Sequence, residues 1–288
     1  MEFLGPGLYS RDEVSHDRYH ADPCALPSLS SHIAQIVVGK SAGHAALAHP
    51  RMGGQRFVSS DAMDTGSILH GLILGGGQDL VEVDAKDWRT NAAKEAREAA
   101  TAEGKIAILK DKLVRIKSAA ERVRKCLPKE ITLAKTEVTA IWESNGCPCR
   151  CRIDDIEKDF QIYDLKFVED ASVSTSDRNV SSSGYYIQAA ANIDAIETLV
   201  PGAAGRVNFT LVFIEWENPS IGIKKVRISG QLLDVGRSRW NRAKGIWSQC
   251  LSSNRWPGYT ADVVDAQCPA WLASEEFDTQ LQGQAAPF

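Results

Sequence analysis

The stretch Arg150-Cys-Arg-Ile-Asp-Asp-Ile-Glu-Lys-Asp-Phe-Gln-Ile-Tyr-Asp-Leu-Lys-Phe-Val168 reads as two strands joined by a short polar turn. Successive side chains of a strand alternate faces, so Asp164 and Lys166 point one way and Leu165 the other. A hairpin over this stretch brings Asp154 beside them. Two carboxylates and a lysine converging at the end of an apolar strand pair suit phosphodiester hydrolysis. In that chemistry the carboxylates hold Mg²⁺, and the ammonium orients or activates a water and offsets developing charge.

An Asp-x-Lys triplet in a strand is by itself a frequent coincidence, and turn carboxylates are usually just solvated. Its weight comes from its surroundings. Strand-like runs at 136–142, which carries Glu137, and at 149–156 precede the run at 160–168. A Ser-rich stretch at 171–183 follows, expected as a loop, then a helix over 184–199 ended by Pro201-Gly202. Next come a strong strand at 207–216, another at 222–228, and a helix over 231–251 with Trp240, Ala243, Trp247 and Leu251 on one apolar stripe. That stripe suits a core or a subunit interface better than a base-stacking platform.

Upstream, residues 1–60 open with a polar, irregular stretch containing Tyr19-His-Ala-Asp-Pro23. Two short helices follow, capped by Ser30 or Ser31 and by Ser41, and Pro50 stops the second. Asp64 or Thr65 is expected to open a third helix over 66–74, ended by Gly75-Gly-Gly77. Its His70 sits among apolar residues, where a lone histidine is most often a core residue with a satisfied hydrogen bond. In 91–127, Ile106, Leu109, Leu113, Ile116, Ala120 and Val123 fall at helical spacings, which predicts a long amphipathic helix or a pair, broken at Pro128. This order of elements predicts an α/β or α+β core with one mixed central sheet flanked by helices. The expectation is a single domain over 1–288, with 1–60 a helical subregion and 254–288 a C-terminal extension carrying a short helix near 270–277.

The 288 residues suffice for a sizeable core, and 43% hydrophobic with 24% charged residues is an ordinary globular composition. No apolar run approaches the roughly 18 to 20 residues that span a bilayer. The opening Met1-Glu-Phe-Leu-Gly-Pro-Gly7 lacks the basic and apolar regions of a signal peptide, so a cytoplasmic location is expected. An odd count of seven cysteines argues against a full disulfide framework. Cys147, Cys149 and Cys151 share one strand face, but i, i+2 spacing is too spread for easy convergence on one ion, and reduced half-buried thiols are the better reading. The net charge is −4, yet 89–125 and 224–255 are locally basic. Such stretches fit a polyanion in a groove and fit solvated helix faces equally well.

Taken together, the residues resemble the RecE-type (exonuclease VIII-like) phage exonucleases, a branch of the PD-(D/E)xK nuclease superfamily. The resemblance runs from about Tyr19 to Trp256. Tyr19-His-Ala-Asp, Leu29-Ser-Ser and Lys40-Ser-Ala-Gly-His-Ala are similar to the family's opening, and Gly66-Ser-Ile-Leu-His70 to its Gly-x-x-Leu-His helix. Glu137-Val-Thr-Ala-Ile-Trp142 resembles its Glu-bearing strand, Arg152-Ile-Asp154 its Arg-Pro-Asp element, Asp164-Leu-Lys166 its Asp-Leu-Lys element and Tyr185-Tyr-Ile-Gln188 its Tyr-x-x-Gln helix. Ile153 stands where proline is usual, and Asn192 where the family often has tyrosine.

The resemblance implies that Asp154 and Asp164 are the principal Mg²⁺ ligands, helped by the Leu165 carbonyl, with Mn²⁺ as a substitute. Lys166 positions or activates the attacking water, and His70 and Glu137 complete the metal environment, around one ion or two. Tyr185 and Gln188, one turn apart, face one groove and, with Arg152, contact DNA. The implied activity is exonucleolytic degradation of one strand of linear duplex DNA, 5′ to 3′, leaving a 3′ overhang for a RecT-like single-strand annealing protein. The implied assembly is a homo-oligomeric ring in a phage or its bacterial host's cytoplasm. The rival readings are a Cas4-like or RecB-like single-strand exonuclease of the same fold and a DNA-binding protein without turnover.

Overall fold

The computed structural model describes residues 2–53, 60–263, 265–269, 272 and 274. The chain divides into two compact units, Met1–Gly258 and Tyr259–Phe288. In chain order the first runs β1 Gly7–Tyr9, α1 His16–His20, α2 Ser31–Gly39, α3 Ala42–Ala48, α4 Asp61–Leu74, β2 Leu80–Val83, α5 Asn91–Ala102, β3 Ile106–Leu109 and α6 Lys110–Cys126. It continues with β4 Thr136–Ser144, β5 Cys147–Ile156, β6 Gln161–Val168, α7 Val173–Ser182, α8 Tyr185–Leu199, β7 Asn208–Glu215, β8 Gly222–Arg227 and α9 Gly230–Ser253. In the second unit, the Asp262 backbone N–H donates to Thr260 Oγ1 at 3.1 Å.

Six strands form one sheet in the order β1-β4-β5-β6-β7-β8, with every neighbouring pair antiparallel except the parallel β6 and β7. The mixed sheet flanked by helices is the architecture the sequence predicts. Alternation along the strands sorts the core into two layers. Ile162, Phe209, Leu211 and Phe213 join Cys147, Cys149, Cys151 and Ile153 against α2, α8 and α9. Tyr163, Leu165, Val212 and Ile214 pack on the other face against α4 and α6. The Cys147, Cys149 and Cys151 thiols lie free in the first layer. Trp240 and Trp247 lie there too, which places that stripe in the core.

Polar groups lock the helices that matter for the site. The indoles of Trp142 and Trp240 and the ammonium of Lys244 donate to Asp194 Oδ2 at 3.2, 2.8 and 2.9 Å, tying β4, α8 and α9 together. Gly236 lets α9 reach α8, since a Cβ there would lie 2.2 Å from the Tyr186 carbonyl oxygen. Two arginines distant in sequence serve the carbonyl end of α4. Arg11 donates to Leu74 O at 2.5 Å, and Arg124 donates to the carbonyls of Leu72 and Ile73. Cations at a helix C-terminus satisfy orphan carbonyls and oppose the negative end of the macrodipole.

Four local readings need correction. The helix expected from 66 begins at Asp61, because Ser60 caps it and Thr65 bonds back to Asp61 O from inside the first turns. The amphipathic run at 91–127 is α5, β3 and α6. Gly104, at φ 75°, breaks the helix, and Ile106–Leu109 pairs with β2 as a two-stranded parallel sheet. The Ser-rich stretch contains α7, opened by Asp170, whose carboxylate accepts from the Ser172 N–H and the Thr175 hydroxyl. The irregular N-terminal stretch contains β1, paired with β4, and α1. The short helix expected near 270–277 falls outside the described residues except for 272 and 274. Among the described residues, no helix is long and apolar enough to cross a membrane.

Candidate active site

The site grows from a fault in the sheet. Strands β5 and β6 pair at Ile156↔Ile162 and Asp155↔Tyr163, and the next rung in that register would set Asp154 opposite Asp164. Instead of that rung, the Asp154 carboxylate accepts the Leu165 backbone N–H at 2.8 Å. On the other side, β4 pairs with β5 at Thr136↔Asp155 and Val138↔Ile153, which leaves Glu137 beside Asp154. Glu137 has φ 56°, a left-handed conformation costing a non-glycine residue on the order of 1–2 kcal/mol. Three adjacent strands thus turn two carboxylates, and an N–H bonded to the second of them, toward one point.

Helix α4 adds His70, whose Nδ1 lies 3.6 Å from Asp154 Oδ2 and whose ring meets Phe167 edge-on at 5.0 Å. The ligand atoms of His70, Glu137 and Asp154 all lie within 4.8 Å of one another. Among the described residues this is the one group of three or more His, Cys, Asp or Glu side chains able to share an ion. His70 is therefore not the core histidine its apolar neighbours suggest. Burial and the nearby Lys166 ammonium push its imidazole down to about 3, so it is neutral.

Lys166 and Asp164 lie on the α8 face of β6, as alternation requires. Asp164 is fully buried, forms an ion pair with the Lys166 ammonium, and accepts from Gln188 Nε2 at 2.6 Å. Burial works to lower the Lys166 ammonium, but the carboxylates of Asp164 and Asp154 outweigh it and hold it above its ordinary range. Tyr185 presents its ring to the same ammonium, 4.9 Å from the centroid. Burial, together with the negative charges of Asp164 and Glu137, raises the Asp154 carboxyl well above the usual carboxylate range. A divalent cation offsets that repulsion, and two carboxylates with an imidazole are a donor set such an ion accepts. The residues present therefore fit a divalent cation, but Asp164, expected as a principal ligand, lies outside the group and is engaged by Lys166 and Gln188.

Arg152 faces inward. Its guanidinium forms an ion pair with Glu137, donates to Val14 O at 3.3 Å, and lies over the Tyr19 ring at 5.7 Å. It braces the glutamate from a position where a DNA contact was expected. Sequence reasoning assigned no role to the adjoining network. Asp22 is buried between His49 Nε2 at 3.1 Å and Arg150 Nη1 at 3.3 Å, and accepts from the N–H and hydroxyl of Ser28. Arg150 also lies over the Tyr19 ring, at 5.6 Å. The alternation of Arg150, Arg152 and Asp154 along one strand face was the available signal.

Four of the eight basic residues at 224–255 have internal partners: Lys225 with Glu130, Arg237 with Glu197, Arg239 with Tyr186 and Lys244 with Asp194. In the earlier basic stretch, Arg89, Arg97, Lys105, Lys110 and Lys112 form ion pairs as well. A groove of about 680 Å³ between α6 and 216–219 is lined by Lys112, Arg115, Arg122, Trp216 and one acid, Glu217. Trp216 lies three residues beyond Phe213, the β7 residue in register with Lys166, and packs with the core layer of α4 and α6.

Comparison with known proteins agrees with this geometry. The profile of the PDDEXK-like domain of unknown function DUF3799 matches residues 35–267. A provisionally assigned exonuclease from Eubacterium rectale is similar in fold, at 13% identity and a TM-score of 0.53, over 92% of this chain and 97% of that one. A phage-related exonuclease from Haemophilus somnus 129PT aligns over 65% of this chain and 95% of its own at 14% identity, with a TM-score of 0.30 that is too low to bear on the fold. No curated protein matches the chain. With more than half of its length matched, the chain belongs to the PDDEXK-like DUF3799 family and has the nuclease fold its hairpin announced.

Proposed function

We propose that the chain is a divalent-cation-dependent exodeoxyribonuclease acting on the ends of linear duplex DNA. The observation that carries this reading is the meeting of Asp154, Glu137 and His70 beside the Asp164–Lys166 ion pair where β5 and β6 part. Asp154, Glu137 and His70 would hold the cation, with Asp164 close by. When bound, the cation supplies charge stabilisation for the attacked phosphodiester and lowers the pKa of water.

The chain's own residues do the rest. Lys166, held as an ammonium, donates toward the non-bridging phosphate oxygens or the attacking water, and Asp164 fixes its direction. Neutral His70 accepts rather than repels a cation. Arg152 keeps Glu137 turned inward. The groove beside α6 gives the DNA backbone a cationic wall.

The finer parts of the reading come from the resemblance to RecE-type enzymes. They are Mg²⁺ as the working ion, 5′ to 3′ polarity, a 3′ overhang passed to an annealing protein, and a ring of subunits around the DNA. The deciding experiment uses linear duplex labelled separately at its 5′ and 3′ ends, with Mg²⁺ or EDTA, closed circular duplex as control and Asp164→Ala as blank. Mg²⁺-dependent release of 5′-terminal nucleotides, with the circle intact, supports the reading. Absence of release from any DNA would sink it.

A further inference from the structure

Strand β6 and helix α8 meet through two matched pairs. On the strand, Asp164 and Lys166 are two residues apart on one face, about 7 Å along the chain. On the helix, Tyr185 and Gln188 are three residues apart on one face, with Cβ atoms about 5–6 Å apart. The pairs engage one to one: Gln188 Nε2 donates to Asp164 Oδ1 at 2.6 Å, and the Lys166 ammonium lies 4.9 Å from the centre of the Tyr185 ring.

Each contact has support behind it. Phe213, the β7 residue in register with Lys166, backs the Tyr185 ring at 6.4 Å between centroids. Gly184 starts α8 with φ 66°, a conformation that favours glycine, and its carbonyl accepts from Gln35 Nε2 of α2 at 3.4 Å. The Asp194 hub fixes α8 from its far half. No hydrogen bond of the Tyr185 hydroxyl is formed among the described residues.

We propose that Tyr185 and Gln188 are positioning residues that hold the two members of the hydrolytic pair, rather than contacts to DNA. The proposal rests on the nuclease reading above. Gln188 occupies one Asp164 oxygen with a neutral donor, leaving the other to Lys166. The Tyr185 ring confines the ammonium by its face without neutralising it, so the lysine keeps its charge and loses its rotamer freedom. Both contacts preorganise donors at the point where charge develops, and a displacement of about 1 Å there costs on the order of 100-fold in rate.

The test compares Tyr185→Leu, Tyr185→Phe and Gln188→Leu by steady-state kinetics on linear duplex DNA. It also follows the proton resonance of the Lys166 ε-methylene, assigned with Lys166→Arg. Tyr185→Leu and Gln188→Leu are expected to lower kcat about 100-fold with KM for DNA changed less than about threefold. Tyr185→Phe, which keeps the ring, restores kcat to within about threefold of wild type. The ε-methylene is shifted upfield by the ring in wild type and in Tyr185→Phe, and that shift is lost in Tyr185→Leu.

A rise in KM with kcat kept at saturating DNA would overturn the proposal, as would a phenylalanine variant as defective as leucine. Should Tyr185→Leu not fold, Tyr185→Met takes its place. A wild-type chain that cleaves no DNA sinks the nuclease reading alone, and the ε-methylene shift then decides the positioning role by itself.

Discussion

Asp154 accepts the backbone N–H of Leu165 at 2.8 Å, in the position where the two strands would otherwise bond to each other. A carboxylate standing in for a ladder carbonyl explains how a charged side chain is held at the middle of a sheet. Asp154→Asn keeps an oxygen acceptor for that N–H and removes a charge that Asp164 and Glu137 both oppose. In EDTA the variant is therefore expected to melt no lower than wild type. Mg²⁺ or Mn²⁺ should raise the wild-type Tm and leave that of the variant unmoved, because only a state that binds the ion gains from it. Cleavage should fall by on the order of 10³-fold. A variant that melts well below wild type in EDTA would show that the charge itself holds the strands.

The Asp164–Lys166 pair predicts an asymmetry between single and double variants. Lys166→Met leaves a fully buried Asp164 without its cation and should cost about 3 kcal/mol, while abolishing cleavage and sparing DNA binding. Adding Asp164→Asn removes the stranded charge and should recover most of that loss without recovering activity. Denaturant melts of the wild type, the two single variants and the double variant measure the coupling.

Much of this was legible in the sequence because strand alternation is rigid. Once 160–168 is a strand, Asp164 and Lys166 must share a face and Leu165 must enter the opposite core layer, as they do. The spacing of Tyr185 and Gln188 placed both on one helix face by the same kind of argument. Their partners were not legible, because contact between a helix and a strand depends on a register that neither segment encodes alone. Glu137 owes its place to a left-handed φ that periodicity cannot express, although its position on the strand upstream of the hairpin already marks it as a candidate. Arg152, given a DNA contact only through the resemblance, meets Glu137 because the N-terminal segment with Val14 and Tyr19 folds over it, which the strand pattern does not encode. The strand Ile106–Leu109 failed because four apolar residues fit a helix stripe and a buried strand equally well.

The buried Asp22 network sets a pH dependence of stability. Burial alone would raise the Asp22 carboxyl, but hydrogen bonds from His49 and Ser28 and the charge of Arg150 hold it well below the usual carboxylate range. A carboxyl depressed in the folded state contributes stability that is fully present above its unfolded pKa of about 3.9 and is lost as pH falls below it. Asp22→Asn should therefore be less stable than wild type at pH 7, with the gap closing steadily below about pH 4. Urea melts across pH 3 to 7 measure the gap, and a difference independent of pH would assign the effect to packing instead.

The groove beside α6 offers a test of where the DNA backbone runs. Arg115 lines it and is exposed, and Lys117 is exposed on the same helix; neither forms an ion pair among the described residues. Lys112 and Lys110, by contrast, are paired with Asp61 and Asp84. A phosphate contact made by a free surface cation releases a counterion, so each one lost should flatten the slope of log affinity against log salt by about one unit. Arg115→Glu with Lys117→Glu should weaken duplex binding strongly at low salt, reduce the salt slope, and leave the melting temperature within a few degrees of wild type. Neither residue touches the hairpin, so kcat at saturating DNA should hold while KM rises. The same double change made at Lys105 and Lys110, which lie outside the groove lining and pair with Glu103 and Asp84, breaks surface ion pairs instead and should cost less affinity. If both doubles weaken binding alike, the groove is no track and the effect is one of net charge alone.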